Sequence, residues 1–485
     1  MYVYLITSTD DGIDGLPFTL PRNWSSRANS ESWVLFTMSI PQFLPSSQYW
    51  LGALFALGAV LVYRRIVSSR SSRTKVESAN SVPSSPIDQK YERPFGAWVP
   101  KPFDYPTITP CSGDPLALKP IPYRPFRWGD YHVTMGIRSM PWDDWIELDS
   151  EFMHFAKIRE SRMNARGDRV LRSLPARPGV ESGAPAAAEL LHELAEYLHR
   201  RYPSVYTVTR HSAKNSTYGW YGEGDIKTIT VGPLNRSFNL DEGEPLKIAT
   251  MLIQEDLAIM IEGEDGRYYF QAGTVCNAGT WRLEDKIGMP LEEIHISGDV
   301  PRFKSKLELS MSRFFRRMPL DKPVIRNNYT FQVVRSSSTF DPSELGWATS
   351  MKGDENLIES DGKRWLRDID GSLTEVTNLN DSPEPKEVDP SMVWMRTERQ
   401  TLRRLPRTGA IVFTIRVYQT PVVELVKEPG VPGRMASAIR SWPEDVAAYK
   451  AKSAYEGIVG YLDECHAKQV AEGLNIEEVT KPFPL

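Results

Sequence analysis

The sequence predicts an α+β fold in which helices surround an antiparallel sheet, preceded by one membrane-spanning helix. The chain has 485 residues, of which 41% are hydrophobic and 25% charged, a balance that supports a buried core. After residue 140, stretches with a helical hydrophobic period alternate with strand-like runs that are joined by turn sequences. An apolar stretch without charges lies near the N-terminus.

That apolar stretch predicts a transmembrane helix over residues 45–63, with an extracytosolic segment over residues 1–44. No charged residue occurs between Ser32 and Tyr63, and at about 1.5 Å per residue the stretch nearly spans a bilayer core of roughly 30 Å. A buried core helix and an uncleaved signal-like segment are the alternatives. Five basic residues between positions 64 and 75 place the C-terminal domain in the cytosol, and the low count of three cysteines fits a reducing compartment.

Residues 64–92 are basic and rich in serine, which predicts a tether, and the folded domain is expected to cover residues 93–485. The proline-dense stretch 94–125 predicts an extended arm on the domain surface, with a loose linker as the alternative. The acidic, turn-rich stretch 336–389 predicts a solvated insertion, and a mobile lid is the alternative.

The regular elements of the domain follow from hydrophobic period. Helices are predicted by a 3.6-residue period, strands by alternation, and a hairpin by two β-rich runs around a turn with Gly and Asp. The predicted helices are Asp149–Arg166, Ala186–Arg201, Phe303–Met318 and Pro443–Glu472; the strand-like runs are 250–253, 257–261, 267–275 and 411–418.

Composition and missing motifs exclude several functions. The net charge of −4 provides no positive field for nucleic acid, so no nucleic-acid partner is expected. The sequence lacks the phosphate-binding glycine loops, the nucleophile elbow of serine hydrolases and the His-Glu-x-x-His zinc motif. Three scattered cysteines cannot hold a four-thiolate iron–sulfur cluster.

Among seven histidines, His295 has the most distinctive surroundings. It is predicted to lie in a constrained loop between the hairpin and the Phe303 helix, where a neutral imidazole could bind a single metal axially. A four-helix di-iron site is the alternative, because Glu151/His154, Glu196/His199 and Glu292/His295 share the Glu-x-x-His spacing; only the first two pairs fall on predicted helices.

An arginine-rich segment, residues 393–407, carries five arginines and Glu398. It could be a solvated helix face. However, it leads directly into an apolar strand, so some guanidinium groups are expected to point inward, where they bind carboxylates such as the propionates of a haem. Arg326 is a further candidate for a buried arginine.

At these residues the chain resembles the haem-dependent oxidative N-demethylase family, as a fungal-type member. The resemblance covers roughly residues 93–419. The matching motifs are Gln254-Glu255-Asp256-Leu257, Lys286-Ile287-Gly288 with Ile294-His295 and Val300-Pro301, Arg326-x-Asn328-Tyr329, and Arg396-x-Glu398-Arg399-Gln400-Thr401-Leu402-Arg403-Arg404-Leu405-Pro406. Tyr329 departs from the family, where Trp is commoner.

The resemblance implies a PAS-like haem domain, with haem b and its iron held by His295. It implies that O2 is activated beside a secondary or methylated amine and that an N-methyl group leaves as formaldehyde. Electrons would come from NADPH through a separate flavin and iron–sulfur reductase, and the bilayer would be contacted through residues 45–63. Glu398, Glu255 and Arg326 are the implied catalytic residues; Arg399 and Arg403 are implied cofactor-binding residues.

The leading hypothesis is therefore a membrane-anchored, cytosol-facing haem monooxygenase. The alternative is a non-catalytic haem-binding sensor or scaffold of the PAS type, since a fold does not establish an activity.

Overall fold

The computed structural model describes one part of the chain. The described residues are 93–120, 123–279, 281–333, 357–360, 363–367, 373–376, 388–450, 452 and 455–474. The predicted segments 1–44, 45–63 and 64–92 lie outside them. Within the described ranges, no helix combines the length and apolar character needed to cross a membrane.

The described residues form helices and strands in mixed order. The strands are β1 (Arg138–Ser139), β2 (Leu171–Ser173), β3 (Tyr206–Arg210), β4 (Ile226–Val231), β5 (Arg236–Asn239), β6 (Asp256–Glu262), β7 (Tyr268–Thr274), β8 (Val324–Val333), β9 (Leu357–Ser360), β10 (Lys363–Arg367), β11 (Leu373–Val376), β12 (Val393–Arg404) and β13 (Ile411–Pro421). The α-helices are α1 (Phe152–Arg166), α2 (Ala184–Arg201), α3 (Pro245–Leu252), α4 (Leu283–Lys286), α5 (Leu291–Ile296), α6 (Glu308–Arg317), α7 (Val422–Leu425), α8 (Val431–Ser441), α9 (Glu444–Tyr449) and α10 (Ile458–Ala471).

A seven-stranded sheet with the order β1-β8-β12-β13-β6-β7-β2 is the centre of the domain. Every pairing in it is antiparallel, which confirms the predicted α+β class. One face packs against α2, α3 and the small sheet β3-β4-β5, while the other face packs against α4, α5 and α6. A further apolar cluster joins β8 and β12 to the C-terminal helices.

The predicted hairpin is confirmed, since β6 pairs with β7 across the glycine-containing turn. The strand-like run 250–253 is instead the end of α3. Glu244 caps this helix by accepting hydrogen bonds from the backbone N–H groups of Leu246 and Lys247, and Pro245 suits its first turn. Burial of Leu246 and Ala249 against α2 then outweighs the local strand propensity.

The other predicted helices are present with small changes. α1 begins at Phe152 and α2 at Ala184, while the stretch from Phe303 opens with a π-helical turn, Phe303–Leu307, before α6. The predicted C-terminal helix is two helices, α9 and α10, preceded by α8. The late strand extends to Pro421 as β13.

The arm at the start of the domain is extended and packed onto the surface, as predicted. The Trp98 indole N–H donates to the Pro406 carbonyl at 2.9 Å, and the Lys101 N–H donates to the same oxygen at 3.1 Å. Of the predicted insertion 336–389, the structure describes β9, β10 and β11, which form a small antiparallel sheet, and two residues at its end.

Most of the arginine-rich segment, up to Arg404, is strand β12 and not a solvated helix face, while Arg407 is exposed beyond the strand. The strand pairs with β8 on one side and with β13 on the other, so it lies at the centre of the sheet. Successive side chains of a strand point to opposite faces. The segment therefore presents alternate residues to two different environments.

Candidate active site

A cavity of about 340 Å³ lies between the sheet and the helices α4 to α6. Residues of α9 close one side of it. Its wall is mainly apolar, and the side chains that give it this character are Ala258, Met260, Phe270, Leu291, Ile294, Leu307, Met311, Phe314, Phe315, Leu402, Phe413 and Ile415. Such a wall suits a large apolar ligand with a few oriented polar groups.

His295 lines this cavity from the last turn of α5, rather than from the loop that was predicted. Its Nδ1 lies 2.7 Å from the Leu291 carbonyl oxygen. A carbonyl oxygen can only accept, so Nδ1 carries the proton and Nε2 keeps its lone pair. This is the arrangement found in metal-binding histidines, in which the second ring nitrogen donates to a carbonyl.

Aromatic rings hold the His295 imidazole in place. It stacks on Phe303, with ring centroids 4.9 Å apart and planes 10° apart, and it meets the edge of Trp281. Burial lowers the pKa of His295; the Leu291 hydrogen bond opposes this change, while the charges of Arg326 and Lys286 add to it. The ring is therefore neutral near pH 7 and available as a ligand.

Glu398 projects into the same cavity from β12. Its carboxylate accepts hydrogen bonds from Arg396 Nε at 3.0 Å, Gln400 Nε2 at 2.8 Å and Asn328 Nδ2 at 3.4 Å. Burial alone would raise the pKa of Glu398, but the Arg396 charge and these hydrogen bonds outweigh it and hold the pKa below its ordinary value. Glu398 is consequently an anion at neutral pH inside an apolar cavity.

Two arginines border the cavity beside Glu398, of which Arg396 is buried and Arg326 is partly buried. Arg326 donates from Nη1 to Gln400 Oε1 at 2.9 Å, and Arg396 donates to Glu398 and to the Asn277 carbonyl. Arg326 Nε, Arg396 Nη1 and the Asn277 side-chain amide nitrogen have no hydrogen-bond partner among the described residues. Unpartnered buried donors are costly, so they indicate the place of an acceptor.

Two lysines that were not predicted as site residues also line the cavity. Lys286 donates to Ser297 Oγ at 2.8 Å at the end of α5, near His295. Lys450 donates to the Tyr329 carbonyl, and burial lowers the pKa of its ammonium to about 8. Lys286 belongs to the motif before His295, whereas no sequence signal marks Lys450, which reaches the cavity through the packing of the C-terminal helices.

These groups fit a haem. The apolar walls suit a macrocycle, the neutral His295 suits the iron, and the unpartnered nitrogens of Arg326 and Arg396 suit propionate carboxylates. His295, Glu398 and Arg326 are thus brought together by the fold, although they lie far apart in sequence.

Arg399 and Arg403, the predicted cofactor-binding arginines, lie on the opposite face of β12, so the structure does not bring them together with His295 in this cavity. Arg403 donates to Glu193 at 2.7 Å and lies over the rings of Trp142 and Trp145. Arg399 donates to Glu147 at 3.0 Å. Strand alternation separates these two odd-numbered residues from Arg396 and Glu398.

Glu255, a predicted catalytic residue, also lies outside the cavity, on the side of the sheet that packs against α2 and α3. It is fully buried and accepts from the backbone N–H groups of Glu147 at 3.3 Å and Gln254 at 3.1 Å. Burial raises the pKa of Glu255 to about 7, although the charges of Arg416 and Arg399 lower it. These two arginines are paired across β12 and β13, and each has another carboxylate partner: Glu147 for Arg399 and Asp149 for Arg416.

The alternative di-iron site receives no support from the described ranges. They contain no group of three or more His, Cys, Asp or Glu side chains placed to hold a metal ion. Glu196, a member of one predicted pair, forms ion pairs with Arg200 and Arg210 instead.

A family comparison agrees with this geometry. The family model described as haem-dependent oxidative N-demethylase, alpha subunit-like, matches residues 136–459. That range contains the whole central sheet and the described cavity lining apart from four residues just before it. Because the match covers about two thirds of the chain, this protein belongs to the haem-dependent oxidative N-demethylase alpha subunit-like family.

Proposed function

We propose that this protein is a membrane-anchored monooxygenase that removes an N-methyl group from a secondary or methylated amine, with haem b bound through His295. The observation that carries the proposal is one cavity containing a neutral imidazole, an ionised carboxylate and apolar walls. When bound, the haem supplies the activation of O2. The overall change consumes the amine, O2, two electrons and two protons, and yields the demethylated amine, formaldehyde and water.

His295 would hold the iron through Nε2, and its hydrogen bond to Leu291 would fix the orientation of the ring. Arg326 and Arg396 would take the propionates through their unpartnered nitrogens. Both arginines are held by neighbours on the sheet, so little side-chain freedom would be lost on binding.

Glu398 would bind the amine. A carboxylate has about four acceptor positions, two on each oxygen. Among the described residues, Oε2 accepts from Asn328 and Gln400, while Oε1 accepts from Arg396 alone, which leaves one position on Oε1 for an N–H of the substrate. The low pKa of Glu398 keeps this acceptor charged, and a cationic amine in an apolar cavity needs such a partner.

Electrons would come from a separate NADPH-dependent reductase with flavin and an iron–sulfur centre. The sequence supports this part of the proposal, because it carries neither a dinucleotide-binding motif nor a set of four cysteines. Residues 45–63 would anchor the chain in a bilayer, with the C-terminal domain on the cytosolic side.

The test is spectroscopic and then catalytic. The full-length chain, purified in detergent from cells supplied with a haem precursor, should show a Soret band that shifts on reduction with dithionite and again on adding CO. With a photochemical electron donor, it should release one formaldehyde per dimethylamine converted. A folded protein that takes up no haem would contradict the proposal. Haem and CO binding without formaldehyde from any N-methylated amine would favour the sensor alternative.

A further inference from the structure

The outer face of α6 is a row of exposed basic residues. Three of its residues are Leu309, Arg313 and Arg317, which follow one another at intervals of four and share one face of α6; Lys306, in the π-helical turn just before α6, precedes Leu309 by three residues. Lys304 is exposed just before them. Within the described ranges, Lys304, Lys306 and Arg313 form no ion pair, and Leu309 has 64% of its surface exposed. We name this face the basic stripe.

The basic stripe differs from the rest of the molecule in charge. The whole chain has a net charge of −4, yet the stripe carries only cations and one leucine. The nearest acidic residue in the helix, Glu308, is turned about 100° away from Leu309. A leucine among lysines and arginines is the composition of surfaces that bind anionic lipid headgroups, with the leucine entering the interface.

The inner face of the same helix lines the cavity. Leu307, Met311, Phe314 and Phe315 contribute to its wall. A helix with its side chains is about 10 Å thick, so whatever binds the basic stripe lies about one helix diameter from the candidate active site.

The first described residues of the chain are held against α6. The first described residue, Arg93, forms an ion pair with Glu262, and Arg316 of α6 donates to both Glu262 and the Arg93 carbonyl. Phe95, which is 52% exposed, lies 4.7 Å from the Arg316 guanidinium. The 92 residues before this point contain the predicted membrane helix and a tether with five basic residues.

We infer that the basic stripe, together with Phe95, binds the anionic cytosolic surface of a membrane and holds the α6 wall of the cavity against the bilayer. Two independent observations carry this inference: the charge of the stripe, and the fixing of Arg93 to the same helix. The inference rests on the proposed membrane anchor, because residues 45–63 would supply the bilayer.

The test uses the full-length chain in vesicles of phosphatidylcholine, with or without about 30% phosphatidylserine as the anionic lipid. A membrane-impermeant amine-acylating reagent is added, and the labelling rate of individual lysines is measured by mass spectrometry. Lys304 and Lys306 should react about fivefold more slowly with the anionic lipid present. The internal control is Lys227 on β4, which is exposed on the opposite side of the central sheet and should react equally in both vesicles.

Charge reversal sharpens this test. The double variant Lys306→Glu/Arg313→Glu should restore fast labelling of Lys304, whereas Lys227→Glu should not. All three positions are exposed, so neither variant disturbs the core. Equal labelling of Lys304 with and without phosphatidylserine would overturn the inference. Slow labelling that appears only on adding a soluble acidic protein would also overturn it, in favour of a protein partner.

An alkaline carbonate wash separates the anchor from the stripe. If the chain stays in the vesicles after the wash but Lys304 is labelled equally with and without phosphatidylserine, the anchor proposal stands and the inference about the basic stripe fails. If the wash instead removes the chain, while at neutral pH the chain floats with phosphatidylserine vesicles and Lys304 is labelled slowly, the anchor proposal fails and the inference about the basic stripe stands.

Discussion

The two faces of β12 both carry buried arginines, but they neutralise them differently. On the face that packs against α2 and α3, each guanidinium has a carboxylate partner: Arg399 has Glu147, and Arg403 has Glu193. On the cavity face, Arg396 has Glu398 as its carboxylate partner, whereas Arg326 of the neighbouring strand donates to the neutral amide of Gln400. The nearby Lys450 likewise donates to a neutral oxygen, the Tyr329 carbonyl.

This difference has a physical reason. An uncompensated buried charge costs several kcal/mol, so a face that only stabilises the fold pairs each charge. A face that binds an anionic group can keep surplus cations, because the ligand completes the pairing. An excess of buried cations therefore indicates the face that binds an anionic ligand, here called the binding face. Fully paired charges indicate the face that only stabilises the fold, here called the structural face.

Replacing His295 tests the binding face most directly. His295→Ala should abolish stoichiometric haem binding, because Nε2 is the ligand that the cavity offers. The measurement is the haem-to-protein ratio from the Soret absorbance. His192→Ala is the matched control: His192 is a mostly buried histidine of α2, stacked on Tyr218, and its removal should leave haem content unchanged. Retained haem in His295→Ala would move the ligand role elsewhere.

One arginine from each face gives the next largest effect. Arg403→Met should lower the free energy of unfolding by about 3–5 kcal/mol, because it leaves Glu193 buried and uncompensated. Arg326→Met should change it by less than about 1 kcal/mol, since only a hydrogen bond to Gln400 is lost and a costly buried charge is removed. Denaturant titration of the haem-free protein measures both.

The same pair should behave in the reverse way towards haem. Arg326→Met should weaken haem affinity, and Arg403→Met, where it remains folded, should not. Equal destabilisation by the two substitutions would break the distinction between the faces.

Glu398→Gln should reduce kcat/KM for the amine by about 10- to 100-fold, the range expected for losing a charged hydrogen bond. The side chain keeps its shape, so haem content should be unchanged. Steady-state formaldehyde release checks the prediction. Glu255→Gln is the control from the structural face, and a similar loss of activity in that variant would show that the two carboxylates are not separated in function.

The smallest effect is a pH dependence of opposite sign on the two faces. The pKa of Glu255 is raised to about 7, so between its ordinary value and pH 7 the folded state binds more protons, and stability falls as pH rises. The pKa of Lys450 is lowered to about 8, so the folded state binds fewer protons between pH 8 and its ordinary value, and stability rises with pH.

Glu255→Gln should remove the first slope and Lys450→Met the second, each by on the order of 1–2 kcal/mol. Unfolding by urea at pH 5, 7, 8 and 10 measures both slopes. A slope that persists in its variant would assign that titration to another group.

Several parts of the fold could be predicted from local pattern. The hairpin of β6 and β7 follows from alternation around a glycine turn, and α1 and α2 follow from a 3.6-residue period. The run 250–253 was misassigned, because its apolar residues suit either a strand or a buried helix, and the cap at Glu244 together with packing decided for the helix.

The sequence by itself determined which residue types the site needs: the motif order identified His295, Glu398 and Arg326, and all three line the cavity. Only the tertiary structure decided which of the neighbouring charges belong with them. Arg399 and Arg403 stand in the same motif as Glu398, and Glu255 stands in another of the matching motifs, but all three lie on the face that packs against α2 and α3. Lys450 joins the site from about fifty residues downstream. The reason is that a strand sends neighbouring residues to opposite faces, and only strand pairing and packing settle which face becomes a cavity.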